Sequence, residues 1–82
     1  MMNLDIQKNE SNGGECCFFS VNGKEYYADK AYVPDFMCQE TMIFPAKDKK
    51  VTDWGELYCD RTNKPLKDCI QEFISRIKSS QK

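Results

Sequence analysis

Residues 15–29 read ECCFFSV, then NG, then KEYYAD. Two runs rich in β-formers thus flank an Asn22-Gly23 pair. Asn-Gly is the strongest local hairpin signal, because a type I′ turn needs positive φ at both central positions and these residues accept it. The sequence predicts an antiparallel pair over residues 15–21 and 24–29. Side chains alternate across a strand, so Cys17, Phe19 and Val21 share one side while Cys16, Phe18 and Ser20 share the other. Aromatic rings fall on both sides, so the sheet has two faces that need cover.

The covering element lies at the far end of the chain. Leu66, Cys69, Ile70, Phe73, Ile74 and Ile77 recur at helical spacing and make one wide apolar stripe. Asn63 is placed to cap this helix, Pro65 suits its first turn, and Asp68 complements the positive end of the helix dipole. Between hairpin and helix, residues 32–37 contain Pro34 and read as an irregular connection or an edge. Residues 38–44 (CQETMIF) read as a third strand ended by Pro45. Residues 51–60 read as a fourth strand bent at Gly55. The competing assignment is a short helix starting at Thr52 or Asp53, since Trp54, Leu57 and Tyr58 also sit at helical spacing. The expected fold is α+β: an antiparallel sheet of three to four strands with one C-terminal amphipathic helix packed on one face. Residues 1–14 end in Gly13-Gly14 and read as a flexible N-terminal arm, with Leu4 and Ile6 available to join a sheet edge. Residues 15–82 form a single domain.

Composition narrows the function. The chain has 82 residues, 40% hydrophobic and 12% aromatic, which fits one small globular domain rather than a disordered or low-complexity segment. Net charge is −1, and only Arg61 and Arg76 are arginines. That argues against direct nucleic-acid binding, which draws on a dense cationic surface. A stacking platform of Phe18, Tyr26, Tyr27 and Phe44 lacks the positive groove such platforms need, because residues 1–46 hold three lysines against seven acids. Residues 47–82 hold nine cations against six acids, so the charge is bipolar along the chain. No apolar run reaches the length of a membrane span or a secretory signal, and the five cysteines are odd in number. We therefore expect a reducing cytoplasm and no membrane partner.

Chemistry-bearing patterns are scarce. There is no histidine, which removes the commonest general base and the usual partner of a cysteine nucleophile. Cys16 and Cys17 are the only close cysteine pair, and neighbours on a strand point to opposite sides, so they do not form a zinc half-site. No phosphate-binding glycine loop occurs. We expect no enzyme activity, no metal and no cofactor. One helix covers one side of a sheet, so Phe18, Tyr27, Tyr32, Phe36, Ile43, Trp54 and Tyr58 cannot all lie beneath it. Exposed aromatic clusters with polar rims mark interaction surfaces. The candidate partner-binding residues are Tyr27, Phe36, Glu40, Trp54, Glu56 and Tyr58, with Asp53 and Asp60 as an acidic rim.

Residues 40–45 (ETMIFP) followed by residues 53–58 (DWGELY) carry a resemblance. The pattern E-T-M-x-F-P, a turn, D-W-x-E-L and a short helix resembles that of small proteins encoded by bacteriophages and mobile elements. The likeness spans residues 38–77. The family pattern often has an aromatic where this chain has Thr62, and a histidine in the final helix, which this chain lacks. The resemblance implies a phage or integrated element expressed in a bacterial cytoplasm. In that setting a small domain without catalytic groups suits a counter-defence or anti-CRISPR-like inhibitor that binds a host protein. Acids beside aromatics suit a basic, nucleic-acid-handling target such as a defence nuclease. The alternative is a sponge that sequesters a signalling nucleotide at an oligomer interface through Lys24, Lys30 and Arg61. A homodimer joined by an edge strand is a third expectation.

Overall fold

The computed structural model describes residues 4–11 and 13–80. Six strands and one helix follow in the order β1 (Gln7–Asn9), β2 (Gly14–Val21), β3 (Lys24–Val33), β4 (Cys38–Lys47), β5 (Lys50–Val51), β6 (Tyr58–Asp60) and α1 (Leu66–Ser80). All strand pairs are antiparallel, in the order β1-β2-β3-β4, with β5 and β6 both on the far edge of β4. The α+β class with one C-terminal helix on one face is as expected. The sheet has six strands rather than three to four.

Turn chemistry explains most of the added length. Asn22 and Gly23 both take positive φ (53° and 82°), so β2 and β3 meet in the expected two-residue hairpin with Val21 opposite Lys24. Asp48 and Lys49 do the same (53° and 62°) between β4 and β5, a hairpin that no Asn-Gly pair advertises. Residues 32–37 are not an irregular connection throughout. β3 runs on to Val33, and Pro34 occupies the second position of a turn closed by the Phe36 N–H donating to the Val33 carbonyl (3.1 Å). Proline fits there because its fixed φ matches the turn.

Pro45 does not end its strand, and the far edge of β4 shows why. The Pro45 carbonyl accepts from the Thr52 N–H (3.0 Å), and the Ile43 carbonyl accepts from the Leu57 N–H (2.8 Å). The chain leaves the edge between those two bonds. A residue's N and C=O point the same way in a strand, so the missing proline N–H falls where no neighbour asks for it. The 51–60 segment is therefore neither one bent strand nor a short helix. It is two short strands, β5 and β6, joined by an exposed irregular loop at 52–57.

Gly14 is required by a close approach. A Cβ there would sit 1.9 Å from the Lys30 carbonyl oxygen. Before it, Gln7–Asn9 pair with residues 14–16 of β2, and Leu4 and Ile6 pack against the core. The described part of the expected arm is thus docked on the sheet. Met1–Asn3 and Asn12 lie outside the described residues.

Between sheet and helix lies a single core. Cys17, Phe19, Val21, Tyr26, Ala28, Ile43 and Tyr58 come from the sheet, and Leu66, Cys69, Ile70, Phe73 and Ile74 from α1. Phe73 meets three rings edge-on: Tyr26 (5.0 Å), Phe19 (6.1 Å) and Tyr58 (6.1 Å). Edge-to-face geometry suits the ring quadrupoles and adds to the area buried. The helix stripe is the one its spacing predicts, but its start differs. The Pro65 carbonyl accepts from Asp68 (3.0 Å) and Cys69 (3.2 Å), so Pro65 stands at the cap position. Asn63 does not cap; its Oδ1 accepts from the Gln39 N–H (3.0 Å) and ties the helix entry to β4.

Candidate functional site

Strand parity assigns every side chain to a side. Phe19, Tyr26, Ala28, Ile43 and Tyr58 face the helix, so their neighbours in sequence face away. On the helix-free side, four successive elements each contribute one ring to a row. Phe18 of β2 lies 4.8 Å from Tyr27 of β3, Tyr27 lies 6.5 Å from Phe44 of β4, and Phe44 lies 5.1 Å from Trp54 of the 52–57 loop. The row grades from sheltered to open: Phe44 is buried, while Trp54 is 69% exposed.

Beside the row, Ala31, Val33, Met42 and Phe44, together with Asp29 and Glu40, line a shallow groove of about 90 Å³. At its Val33 end stands the turn that carries Phe36 (52% exposed) and Met37 (80% exposed). The Arg61 guanidinium lies 4.0 Å from the Phe36 ring centroid, and its Nε donates to Glu40 Oε2 at 2.5 Å. Glu40 raises the arginine's affinity for its proton. The exposed Cys59 thiol points at the same carboxylate (3.6 Å). Partial burial, then Glu40, push that thiol's ionisation above its ordinary value, the opposite of what a nucleophilic cysteine needs. Tyr27 accepts from Asn9 Nδ2 (3.2 Å). Desolvation, then the Asp29 carboxylate, hold its hydroxyl protonated well past the ordinary tyrosine value.

The eight predicted site residues separate into two groups. Tyr27, Phe36, Glu40 and Trp54 meet on the helix-free side, and Asp53 and Glu56 lie on the exposed loop beside Trp54. Asp53 Oδ1 accepts from the Gly55 N–H (2.8 Å), which shapes the turn that presents the indole. Tyr58 and Asp60 do not belong to this surface. Tyr58 is 4% exposed and packs under α1, opposite Ile43. Its hydroxyl is buried without a hydrogen-bond partner among the described residues, and burial followed by Cys69 raises its ionisation. Asp60 sits opposite Thr41 on the helix side, where it accepts from the Thr62 hydroxyl and N–H and faces Lys64 at 3.6 Å. Alternation within β6 forbids Tyr58 and Cys59 from sharing a side, and residue 58 took the core.

Phe18, Phe44, Met37 and Arg61 complete the surface and are not among those eight, Arg61 being expected only in the nucleotide-binding alternative. Phe18 was within reach of the sequence, because the Asn-Gly turn sets it opposite Tyr27. Arg61 was not, since its place beside Glu40 follows from the β4–β6 register. Among the described residues no group of three or more Cys, Asp or Glu could hold a metal ion, and no helix is long and apolar enough to cross a membrane.

The fold and this surface define a small α+β domain with one helix on one side of an antiparallel sheet and an aromatic face on the other. Comparison of the chain with protein-family models, curated proteins and solved structures finds no match.

Proposed function

We propose that this chain is a non-enzymatic binding protein that inhibits or modulates a bacterial host protein, docking through the helix-free side of its sheet. The observation that carries the proposal is the Phe18–Tyr27–Phe44–Trp54 row, ending in an indole that is 69% exposed. Tryptophan and tyrosine are enriched at interface hot spots, and a polar rim around them is the usual surround. The phage or mobile-element setting follows from the sequence resemblance, and within it an anti-CRISPR-like or other counter-defence role is the reading adopted. The nucleotide-sponge alternative draws less support. Lys24 and Lys30 lie on the helix side, and Lys30 Nζ donates to the Lys64 carbonyl (2.9 Å), away from Arg61 and Phe36.

The test is retention of a host protein by a tagged copy in a bacterial lysate, repeated with Trp54→Ala/Phe36→Ala. The variant should keep its native circular dichroism and lose the retained protein. Equal retention by the folded variant would overturn the proposal.

A further inference from the structure

Strand parity sorts charge as well as rings. Every lysine in a strand falls on the helix side: Lys8, Lys24, Lys30, Lys47 and Lys50. The strand acids of the helix-free side are Glu25, Asp29 and Glu40. Its one strand-flanking arginine, Arg61, is held by Glu40. Lys49, in the β4–β5 turn, lines a recess beside Phe18. The flanking loops add Asp35, Asp53 and Glu56, all exposed. The helix side also holds the strand acids Glu15 and Asp60, yet its strand charge stays cationic while that of the helix-free side is acidic. The acidic side carries the Phe18, Phe36 and Trp54 rings, with Tyr32 the exposed ring on the helix side.

From this we infer that the helix-free side takes a cationic protein surface that also presents apolar side chains. The inference rests on reading that side as a docking surface and adds what docks there. Lysine or arginine of the partner would meet Asp29, Glu25 and the loop acids, while its apolar groups enter the groove between Phe36 and Trp54. A second copy fits poorly in either orientation. Face to face, Glu25, Asp29 and Glu40 would oppose their own copies, and like charges across an interface are costly. Head to tail, the basic helix side offers charge, but of the exposed large apolar residues among those described only Tyr32 falls on the helix side of a strand and none lies on α1, so a single ring would have to serve both the indole and Phe36. Nucleic acid and anionic lipid share the sign of this face and are repelled.

Three tryptophan-free synthetic peptides of one length and one Leu/Phe pattern test the inference. They differ only in carrying Lys and Arg, Glu, or Ser between the apolar positions. Binding is read from Trp54 emission and from amide resonances of the labelled protein. The cationic peptide should move Ala31, Glu40, Met42 and Trp54 and leave Lys67 and Arg76 of α1 in place. Its affinity should fall about tenfold in Glu25→Gln/Asp29→Asn, and about tenfold again when salt rises from roughly 0.05 to 0.3 M. If the Glu or Ser peptide binds the same residues as tightly, the cationic partner is overturned and the docking surface stands. If none of the three moves those residues, both are overturned. If the cationic peptide moves α1 instead, both likewise fall. A dimer in light scattering with Trp54 shielded would overturn the inference in favour of a second copy.

Discussion

The Arg61 guanidinium lies 4.0 Å from the centre of the Phe36 ring. The contact joins β6 to the β3–β4 turn, and Glu40, donated to by Arg61 Nε at 2.5 Å, anchors it to β4. Three separate stretches of chain thus fix the position of one exposed ring. Arg61→Ala should leave the fold intact and shift the Phe36 ring resonances toward those of a mobile side chain. Arg61→Lys should restore little of the wild-type spectrum, because an ammonium does not stack flat on a ring. Unchanged Phe36 resonances in Arg61→Ala would show that the turn holds the ring without help.

Trp54 and Tyr58 should part company under mutation. Tyr58→Ala removes a ring packed against Phe73 in the core and should cost about 3–5 kcal/mol, measured by urea unfolding. Trp54→Ala removes an exposed ring with one aromatic neighbour and should cost about 1 kcal/mol or less. Tyr58→Phe deletes a buried hydroxyl that has no hydrogen-bond partner among the described residues, so stability should hold or rise by up to about 1 kcal/mol. A clear loss in Tyr58→Phe would mean that the hydroxyl is bonded in solution.

The β4–β5 turn places a lysine at a position that favours glycine. Lys49 has φ of 62°, the left-handed region, at the second central position of a two-residue hairpin. Lys49→Gly relieves the Cβ crowding there and should stabilise the domain by roughly 0.5–1 kcal/mol, read as a raised urea midpoint with unchanged slope. At Gly14 the sign is opposite. Gly14→Ala forces the β2–β3 backbones apart and should lower the midpoint.

Stability should decline at both ends of the pH scale. The Thr62 hydroxyl, then its N–H and Lys64, hold the Asp60 carboxyl below its ordinary 3.8. A depressed folded-state value contributes stability above the unfolded value and loses it as pH falls from about 3.8 through the folded value. Asp60→Asn should therefore flatten the acid limb of the stability profile. Tyr27 and Tyr58 are raised above the ordinary 10.0. Their contribution is complete below pH 10 and is lost as pH climbs toward the folded values, so alkaline unfolding should accompany their ionisation in a spectrophotometric titration. Tyr58→Phe should delay that unfolding.

Local rules account for the hairpin at Asn22-Gly23, the apolar stripe of α1 and the alternation that puts rings on both sides of β2. Each depends on residues close in sequence, where backbone sterics and side-chain period act directly. The surplus of rings over what one helix can cover was legible for the same reason. Tertiary structure decided which rings were left over. Tyr58 and Trp54 are four residues apart and equally apolar in sequence, yet one lies under Phe73 and the other stands in solvent. The difference follows from the register of β6 on β4 and from the break in that edge opposite Pro45. It also decided the charge sorting, because lysines far apart in the chain share a side only once the strands are aligned. Register is a property of pairing between distant segments, set by burying one face at the expense of the other, and no single stretch of sequence contains it.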